Sequence, residues 1–348
     1  MTQAANGVIV RPPYIQNVTA RSAAVGWVTT GSTDEYVTIS TSDGGALGAI
    51  TAAPEGGTRA GELQQWTTLA DLEPATTYCY GVANDAELTR RTGFRTAPAA
   101  DSDEPVRFLA FGDSGAATSD QLALRDQMFE FPYQLILHTG DMAYESGTLQ
   151  QLQDNLFAVY GQLFKNLPFF PAPGNHDYKT ADGAPFREVF SLPGSERFYS
   201  YDWGRVHFVA LDTEADYASQ ALWLDQDLAA TTQPWKIVYM HRPPFSSGTH
   251  GSDSGGQKFF VPLFEKHHVQ LVLAGHDHDY ERIKPRNGVA YVVTGGGGEG
   301  TRIVGTSSFT AFSDDVIHFV YVEVGAAELV LHAVDATGVE FDSLVVPL

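Results

Sequence analysis

Four apolar runs in this chain each lead into a short block that carries metal-ligating residue types, and a fifth such block follows a proline-rich run. In order the blocks are Gly112-Asp113-Ser114-Gly115, Gly140-Asp141-Met142-Ala143-Tyr144, Gly174-Asn175-His176-Asp177, Tyr239-Met240-His241 and Gly275-His276-Asp277-His278. The apolar runs are Arg107-Phe108-Leu109-Ala110-Phe111, Leu135-Ile136-Leu137, Lys236-Ile237-Val238-Tyr239 and Val269-Gln270-Leu271-Val272-Leu273. Short runs of this kind read as buried strands. Helices are expected between them: Asp120 to Phe131, Gln150 to Phe164, one capped by Ser219 and carrying Leu222, Trp223 and Leu228, and Gln257 to Lys266. From Ala290 on, strands return at Tyr291-Val292-Val293, His318 to Val322, Leu329-Val330-Leu331 and Ser343 to Val346. Strand-helix alternation calls for an α/β domain. Its strand ends are where binding crevices form.

Residues from about 8 to 98 have a different rhythm. Short alternating runs such as Ala23 to Val28, Glu35 to Ser40 and Thr77 to Val82 are separated by Gly, Ser, Asp and Pro. Regularly spaced strands of this type suggest a β-sandwich. The stretch Leu72-Glu73-Pro74-Ala75-Thr76-Thr77-Tyr78 resembles the leucine-proline-tyrosine corner of fibronectin type III domains, and Pro12-Pro13-Tyr14 and Trp27 are similar to that family too. The polar segment Pro98 to Pro105 reads as a linker, giving a sandwich over 1–100 and a second domain over 101–348.

Composition narrows the partners. A formal charge of −21 disfavours nucleic acid and anionic membrane. No window approaches the run of about 20 apolar residues that a membrane span needs. Residues 1–6 have neither a basic n-region nor an apolar h-region, so no export signal is expected there. Cys79 is the single cysteine, which excludes an internal disulfide and thiolate clusters; between Tyr78 and Tyr80 it reads as a core filler.

The blocks offer carboxylate, phenol, amide and imidazole groups, a set suited to iron, zinc or manganese. His276 and His278 are two apart, so on an extended segment they point the same way. A lone aspartate after a strand is usually a turn residue; five blocks in series are harder to explain that way. Glycines 112, 115, 140, 174 and 275 are read as letting the chain turn sharply beside each ligand. The run Gly295 to Gly298 reads as a loop passing near the site.

In order and spacing, the five blocks resemble those of the calcineurin-like metallophosphoesterases. Tyr144 in the second block and the ending Gly275-His276-Asp277-His278-Asp279-Tyr280-Glu281-Arg282 are similar to the purple acid phosphatases within them. The resemblance implies an α/β fold, an N-terminal β-sandwich followed by a metallophosphoesterase αββα sandwich. It implies ferric iron held by Asp113, Tyr144 and His278. It implies zinc, manganese or ferrous iron held by Asn175, His241 and His276, with Asp141 bridging the two. Two aspartates and a tyrosinate against a trivalent and a divalent ion leave room for a bridging hydroxide and a small positive charge, which attracts a phosphate ester despite the acidic whole.

The function so implied is hydrolysis of phosphate monoesters of small phosphorylated substrates, by attack of a metal-bound hydroxide on phosphorus. A histidine would protonate the leaving alkoxide, with His176 and His250 as the two candidates. Gly251 stands where many members have a second histidine. Alternatives are a phosphodiesterase or nucleotide hydrolase on the same scaffold and, from another class, a binding protein with a vestigial metal centre. Family analogy places the protein outside the cell or in the periplasm. Asp177 and Asp277 could orient neighbouring histidines, Arg242 could meet a phosphate, His138 reads as packed beside the site, and Arg282 as a structural ion pair.

Overall fold

The computed structural model describes residues 8–30, 36–51, 53–55, 59, 61–82 and 92–348. The expectations placed on residues 1–6 and on Glu35 lie outside the described residues. The N-terminal part forms two antiparallel four-stranded sheets. One has the order Val8–Gln16, Ala23–Thr30, Glu62–Leu69, Ala53–Glu55; the other Ala46–Thr51, Tyr36–Thr41, Thr77–Val82, Gly93–Arg95. They contribute Val25, Trp27, Val37, Ile39, Tyr78 and Phe94 to a buried core. The corner forms: the Glu73 amide donates to the Tyr78 hydroxyl at 2.8 Å, over buried Leu72. Cys79 corrects the sequence reading. Strand alternation turns Tyr78 and Tyr80 inward and leaves Cys79 half-buried on the other face.

The remaining chain is an αββα sandwich. A six-stranded sheet runs Phe169–Pro171, Leu135–His138, Val106–Phe111, His318–Val324, Glu328–Asp335, Glu340–Pro347. A seven-stranded sheet runs Tyr199–Trp203, Val206–Ala210, Trp235–Met240, Leu271–Ala274, Ala290–Thr294, Tyr280–Ile283, Thr310–Asp314. Its period of two is visible in the packing. Phe208, Ile237, Tyr239, Leu271 and Leu273 join the main core, where Phe208 meets Phe108 of the facing sheet at 5.3 Å. Val209, Val238, Met240 and Val272 form a separate layer with Leu224, Leu228 and Phe264 of the covering helices Tyr217–Ala230 and Val261–Lys266. These strands are buried on both faces, which is why they read as unbroken apolar runs.

The helices differ from expectation in detail, the first running Ser119–Met128 and stopping short of Phe131. The helix expected to start at Ser219 is capped by Asp216, whose carboxylate accepts from the Ala218 amide at 3.0 Å. Over Gln150 to Phe164 the helix widens into a π-helical stretch, Leu152–Phe157. The Gln257–Lys266 stretch splits into Ser254–Phe259 and Val261–Lys266, because Pro262 lacks the amide that would continue the first. Among the described residues, no helix is long and apolar enough to cross a membrane.

The two parts share one hydrophobic core. Tyr14 donates to Val189 O at 2.6 Å, Gln16 Nε2 to Phe169 O at 3.1 Å and Tyr80 to Lys165 O at 2.7 Å. The Tyr14 ring lies 4.9 Å from Phe157. Buried hydroxyls and amides thus have partners across the junction, which fixes the orientation of the N-terminal sheets.

One ion-pair cluster makes stability depend on pH. Buried His207 on the hairpin strand Val206–Ala210 lies 2.7 Å from Asp202 and 2.9 Å from Asp227 of the covering helix. Burial alone would lower its pKa, but the two carboxylates push it up from 6.5 to about 9. The folded value exceeds the unfolded one, so the stabilisation is complete below pH 6.5 and lost as pH rises through 9. It is on the order of 2–3 kcal/mol. Urea midpoints should show His207→Gln well below wild type at pH 6 and the gap closing by pH 9.5; a gap that stays constant across this range would contradict the assignment.

Candidate metal centre

The C-terminal ends of Val106–Phe111, Leu135–His138, Trp235–Met240 and Leu271–Ala274 meet at one edge of the sandwich. Gly112 N donates to Thr294 O at 3.0 Å and Gly275 N to His241 O at 2.9 Å, which binds the blocks of both sheets together. The third block opens the short helix Asn175–Tyr178 directly after Phe169–Pro171. The sharp turns are not made mainly by the glycines. Asp113, Asp141 and His276 themselves take left-handed φ values of 58°, 59° and 71°, while of the five glycines only Gly140 does, at 100°. The other four are needed for close approach. A Cβ would come 2.0 Å from Thr139 Oγ1 at Gly112, 1.9 Å from Met142 O at Gly115, 2.3 Å from Asp141 Oδ1 at Gly174 and 2.4 Å from Asp113 Oδ2 at Gly275. The blocks pack backbone to backbone. Left-handed non-glycine residues cost energy, and their clustering here marks a site the surrounding fold holds in place.

The structure brings Asp113, Asp141, Tyr144, Asn175, His241, His276 and His278 into contact. Asp113, Asp141 and His241 place one ligand atom each within 4.8 Å of one another. His241 Nδ1 lies 2.9 Å from Thr139 O, so in the neutral ring Nδ1 carries the hydrogen and Nε2 a lone pair. That lone pair faces two acceptors, Asn175 Oδ1 at 3.0 Å and Asp141 Oδ2 at 3.3 Å, and a single hydrogen, on His276 Nδ1 at 3.1 Å, since Arg242 donates to the other nitrogen of that ring. On the other side, the Tyr144 hydroxyl lies 3.1 Å from Asp113 Oδ1, 3.2 Å from Asp141 Oδ2 and 3.1 Å from His278 Nε2. Its one proton cannot serve three acceptors. Both groups of atoms converge with too few protons between them, which is the arrangement a pair of cations resolves.

The electrostatics agree. Burial drives Asp113 well above the ordinary carboxylate range, and Asp141 adds to the rise. Asp141 is held below that range, against burial, by His241 and His176. His241 is pushed up to about 10 by Asp141 and Asp113, although burial opposes it. Buried anions with no cation beside them draw protons onto their neighbours; a bound metal would supply that charge instead.

Around this cluster, Asp177, Asp277 and Arg242 do something other than expected, while His138, Arg282 and the glycine run lie as the sequence suggested. Asp177 orients backbone rather than histidine: it accepts from Asp141 N and Gly174 N at 2.9 Å each and from Met142 N at 3.1 Å. Asp277 likewise accepts from His250 N at 2.7 Å and Gly251 N at 3.2 Å. Arg242 does not stand free for a phosphate. It is forked onto Glu214 at 2.6 and 3.0 Å and reaches His276 Nε2 at 3.0 Å. His138 is buried beneath the site against Ser114 Oγ at 2.8 Å, and Arg282 pairs with Asp342 at 2.7 Å. His176 sits against the Tyr144 ring at 4.4 Å between centroids, and His250 stacks on His276 at 4.2 Å. The glycine run passes along the site: Gly297 N donates to Gly112 O at 2.9 Å, and a Cβ on Gly295 would lie 2.8 Å from Asp113 Oδ2. Sequence reasoning stopped at that run and missed Glu299, 2.8 Å from His278 Nδ1, and Arg302 just beyond. Charged side chains directly after a glycine run beside the site were the available signal.

Comparison with known proteins fits this geometry. The calcineurin-like phosphoesterase family model matches residues 106–280. Acid phosphatase type 7 of Mus musculus is 28% identical over 252 residues, covering 63% of this chain and 56% of that protein. Purple acid phosphatase 21 of Arabidopsis thaliana is 29% identical over 262 residues, covering 66% and 57%. A purple acid phosphatase from yellow lupin (Lupinus luteus) seeds shares the fold with a TM-score of 0.87 at 20% identity, over 98% of this chain and 75% of that one. The matched region is little more than half the length of the two curated relatives.

Proposed function

Because the chain belongs to the calcineurin-like phosphoesterase family, we propose that it is a binuclear-metal phosphomonoesterase of the purple acid phosphatase kind, acting on small phosphorylated substrates. The observation that carries the reading is the convergence of more acceptors than hydrogens on two adjoining points, at His241 Nε2 and at the Tyr144 hydroxyl. One cation would be held by Asp113, Tyr144 and His278, the other by Asn175, His241 and His276, with Asp141 common to both. The tyrosine favours ferric iron in the first place; zinc, manganese or ferrous iron suits the second. Bound there, the ions would supply Lewis-acid charge at the phosphoryl group and acidify water.

The chain's own residues do the rest. Asp177 and Asp277 fix the loops that carry Asn175 and His250. Arg242 holds the outer nitrogen of His276. His176 and His250 flank the centre, and one of them would give the departing alkoxide its proton, from Nδ1 in the case of His250, whose Nε2 accepts from Arg302. We also read residues 1–100 as a fibronectin type III-like domain on the strength of the Tyr78 corner, residues 101–348 as the catalytic domain, and the protein as one that works outside the cell or in the periplasm.

Hydrolysis of p-nitrophenyl phosphate and of bis(p-nitrophenyl) phosphate by the metal-loaded protein tests the reading. The monoester should be the better substrate. Preference for the diester would favour a phosphodiesterase on the same scaffold, and a fully loaded protein inert toward both would contradict the proposal. His176→Ala or His250→Ala should lower kcat by about a hundredfold with metal content unchanged; loss of metal in both would show that they had been misplaced.

A further inference from the structure

We propose that Arg302 is the guanidinium that grips the substrate's phosphate and gives the centre its preference for dianionic monoesters. The inference rests on the phosphoesterase reading above and deepens it. Three cationic side chains border the metal centre. Arg242 is committed to Glu214 and to His276. Lys179 leans on His176 at 2.9 Å and on Glu145 at 3.8 Å. Arg302 alone of the three makes no ion pair among the described residues; its guanidinium instead donates to His250 Nε2. In a chain with 21 basic against 42 acidic residues, an arginine left without a carboxylate partner at the mouth of an anion-binding centre is unusual.

Its position is well fixed. Arg302 N donates to His278 O at 2.9 Å, Glu299 N to Asp113 O at 3.0 Å and Gly305 N to Ser247 O at 3.0 Å. The loop is therefore tied to the first block, to the fifth and to the segment leading to His250. Holding one long side chain from three backbone anchors lowers the entropy lost when it meets a ligand. A guanidinium has five N–H donors, and among the described residues its one side-chain hydrogen bond goes to His250. The remaining fork suits two phosphoryl oxygens at once. A monoester dianion offers more unesterified, negatively charged oxygen to that fork than a diester monoanion does, so Arg302 discriminates between them. No bond is made or broken at this residue; it positions and selects.

Calorimetric titration of inorganic phosphate into metal-loaded wild type, Arg302→Ala and Arg302→Lys tests this without turnover. Arg302→Ala should weaken phosphate binding about 10- to 100-fold with metal content unchanged, and Arg302→Lys should recover part of it, since lysine restores charge but not the fork. KM for p-nitrophenyl phosphate should rise in step, while KM for the bis-ester moves by no more than about threefold. Unchanged phosphate affinity and unchanged monoester KM in Arg302→Ala would overturn the inference. The two proposals can fail separately. Arg302-dependent phosphate binding by a protein that hydrolyses neither ester would sink the function and keep the inference; monoester hydrolysis indifferent to Arg302 would do the reverse.

Discussion

Asp141→Asn should empty the metal centre and reduce monoester turnover by at least a thousandfold. Among the described residues, Asp141 is the carboxylate that touches both groups of acceptors, 3.3 Å from His241 Nε2 and 3.2 Å from the Tyr144 hydroxyl. Its other oxygen accepts from His176 N at 2.7 Å, a bond an amide oxygen can keep. Asparagine also tolerates the left-handed backbone found here, so the fold should survive. What disappears is a negative charge shared by two cations, replaced on one side by an N–H donor that repels them. Even groups that only orient metal ligands are worth about 10–100-fold in affinity or activity, and a shared ligand should exceed that about tenfold or more. Elemental analysis after desalting, with kcat on p-nitrophenyl phosphate, reads both effects. Two retained metals and near-normal turnover would remove Asp141 from the bridging role.

Gly115→Ala should be the most damaging single methyl group near the site. The added Cβ would lie 1.9 Å from Met142 O, 2.0 Å from Met142 C and 2.4 Å from Ala143 N, all backbone atoms that have no rotamer to change. Gly115 O also accepts from Tyr144 N at 2.8 Å, and Gly115 N donates to Asp141 O at 3.4 Å. The first and second blocks would have to part, which moves Asp113 away from Asp141 and Tyr144. Overpacking of a rigid core typically costs about 1–3 kcal/mol, and a clash with immobile backbone belongs at or above the top of that range. At roughly 2–4 °C per kcal/mol for a large domain, the melting temperature should fall by about 6–12 °C. A thermal scan checks it. Gly194→Ala is the control, because its Cβ would meet nothing within 4 Å, although its φ of 62° adds some strain. Equal effects at both positions would contradict the close-approach account, because left-handed strain acts at Gly194 and not at Gly115.

Much of this arrangement was legible in the amino-acid sequence, for physical reasons. Val106–Phe111, Trp235–Met240 and Leu271–Ala274 are buried on both faces, so their apolar runs announce them. The hairpin Tyr199–Trp203 and Val206–Ala210 carries Ser200, Asp202 and His207 for the cluster beside the covering helix, and those polar residues hid it. Ser219 was a plausible cap on local chemistry; Asp216, which accepts from Ser219 Oγ at 2.6 Å, took the position instead. The convergence of Asp113, Asp141 and His241 follows from strand order. The partner of an arginine does not. Arg242 and Arg302 look alike in sequence, and only the fold sets Glu214 against the first and leaves the second facing His250. In the same way the blocks advertise their glycines, but which atom each missing Cβ makes room for depends on a neighbouring block far along the chain.

Anomalous X-ray scattering from crystals of the metal-loaded protein tests the central claim most directly. Two peaks roughly 3.5–4 Å apart are predicted, one among Asp113, Tyr144 and His278, the other among Asn175, His241 and His276, with Asp141 touching both. A loaded protein whose metal lies away from these side chains, or whose centre holds no more than one ion, would contradict it.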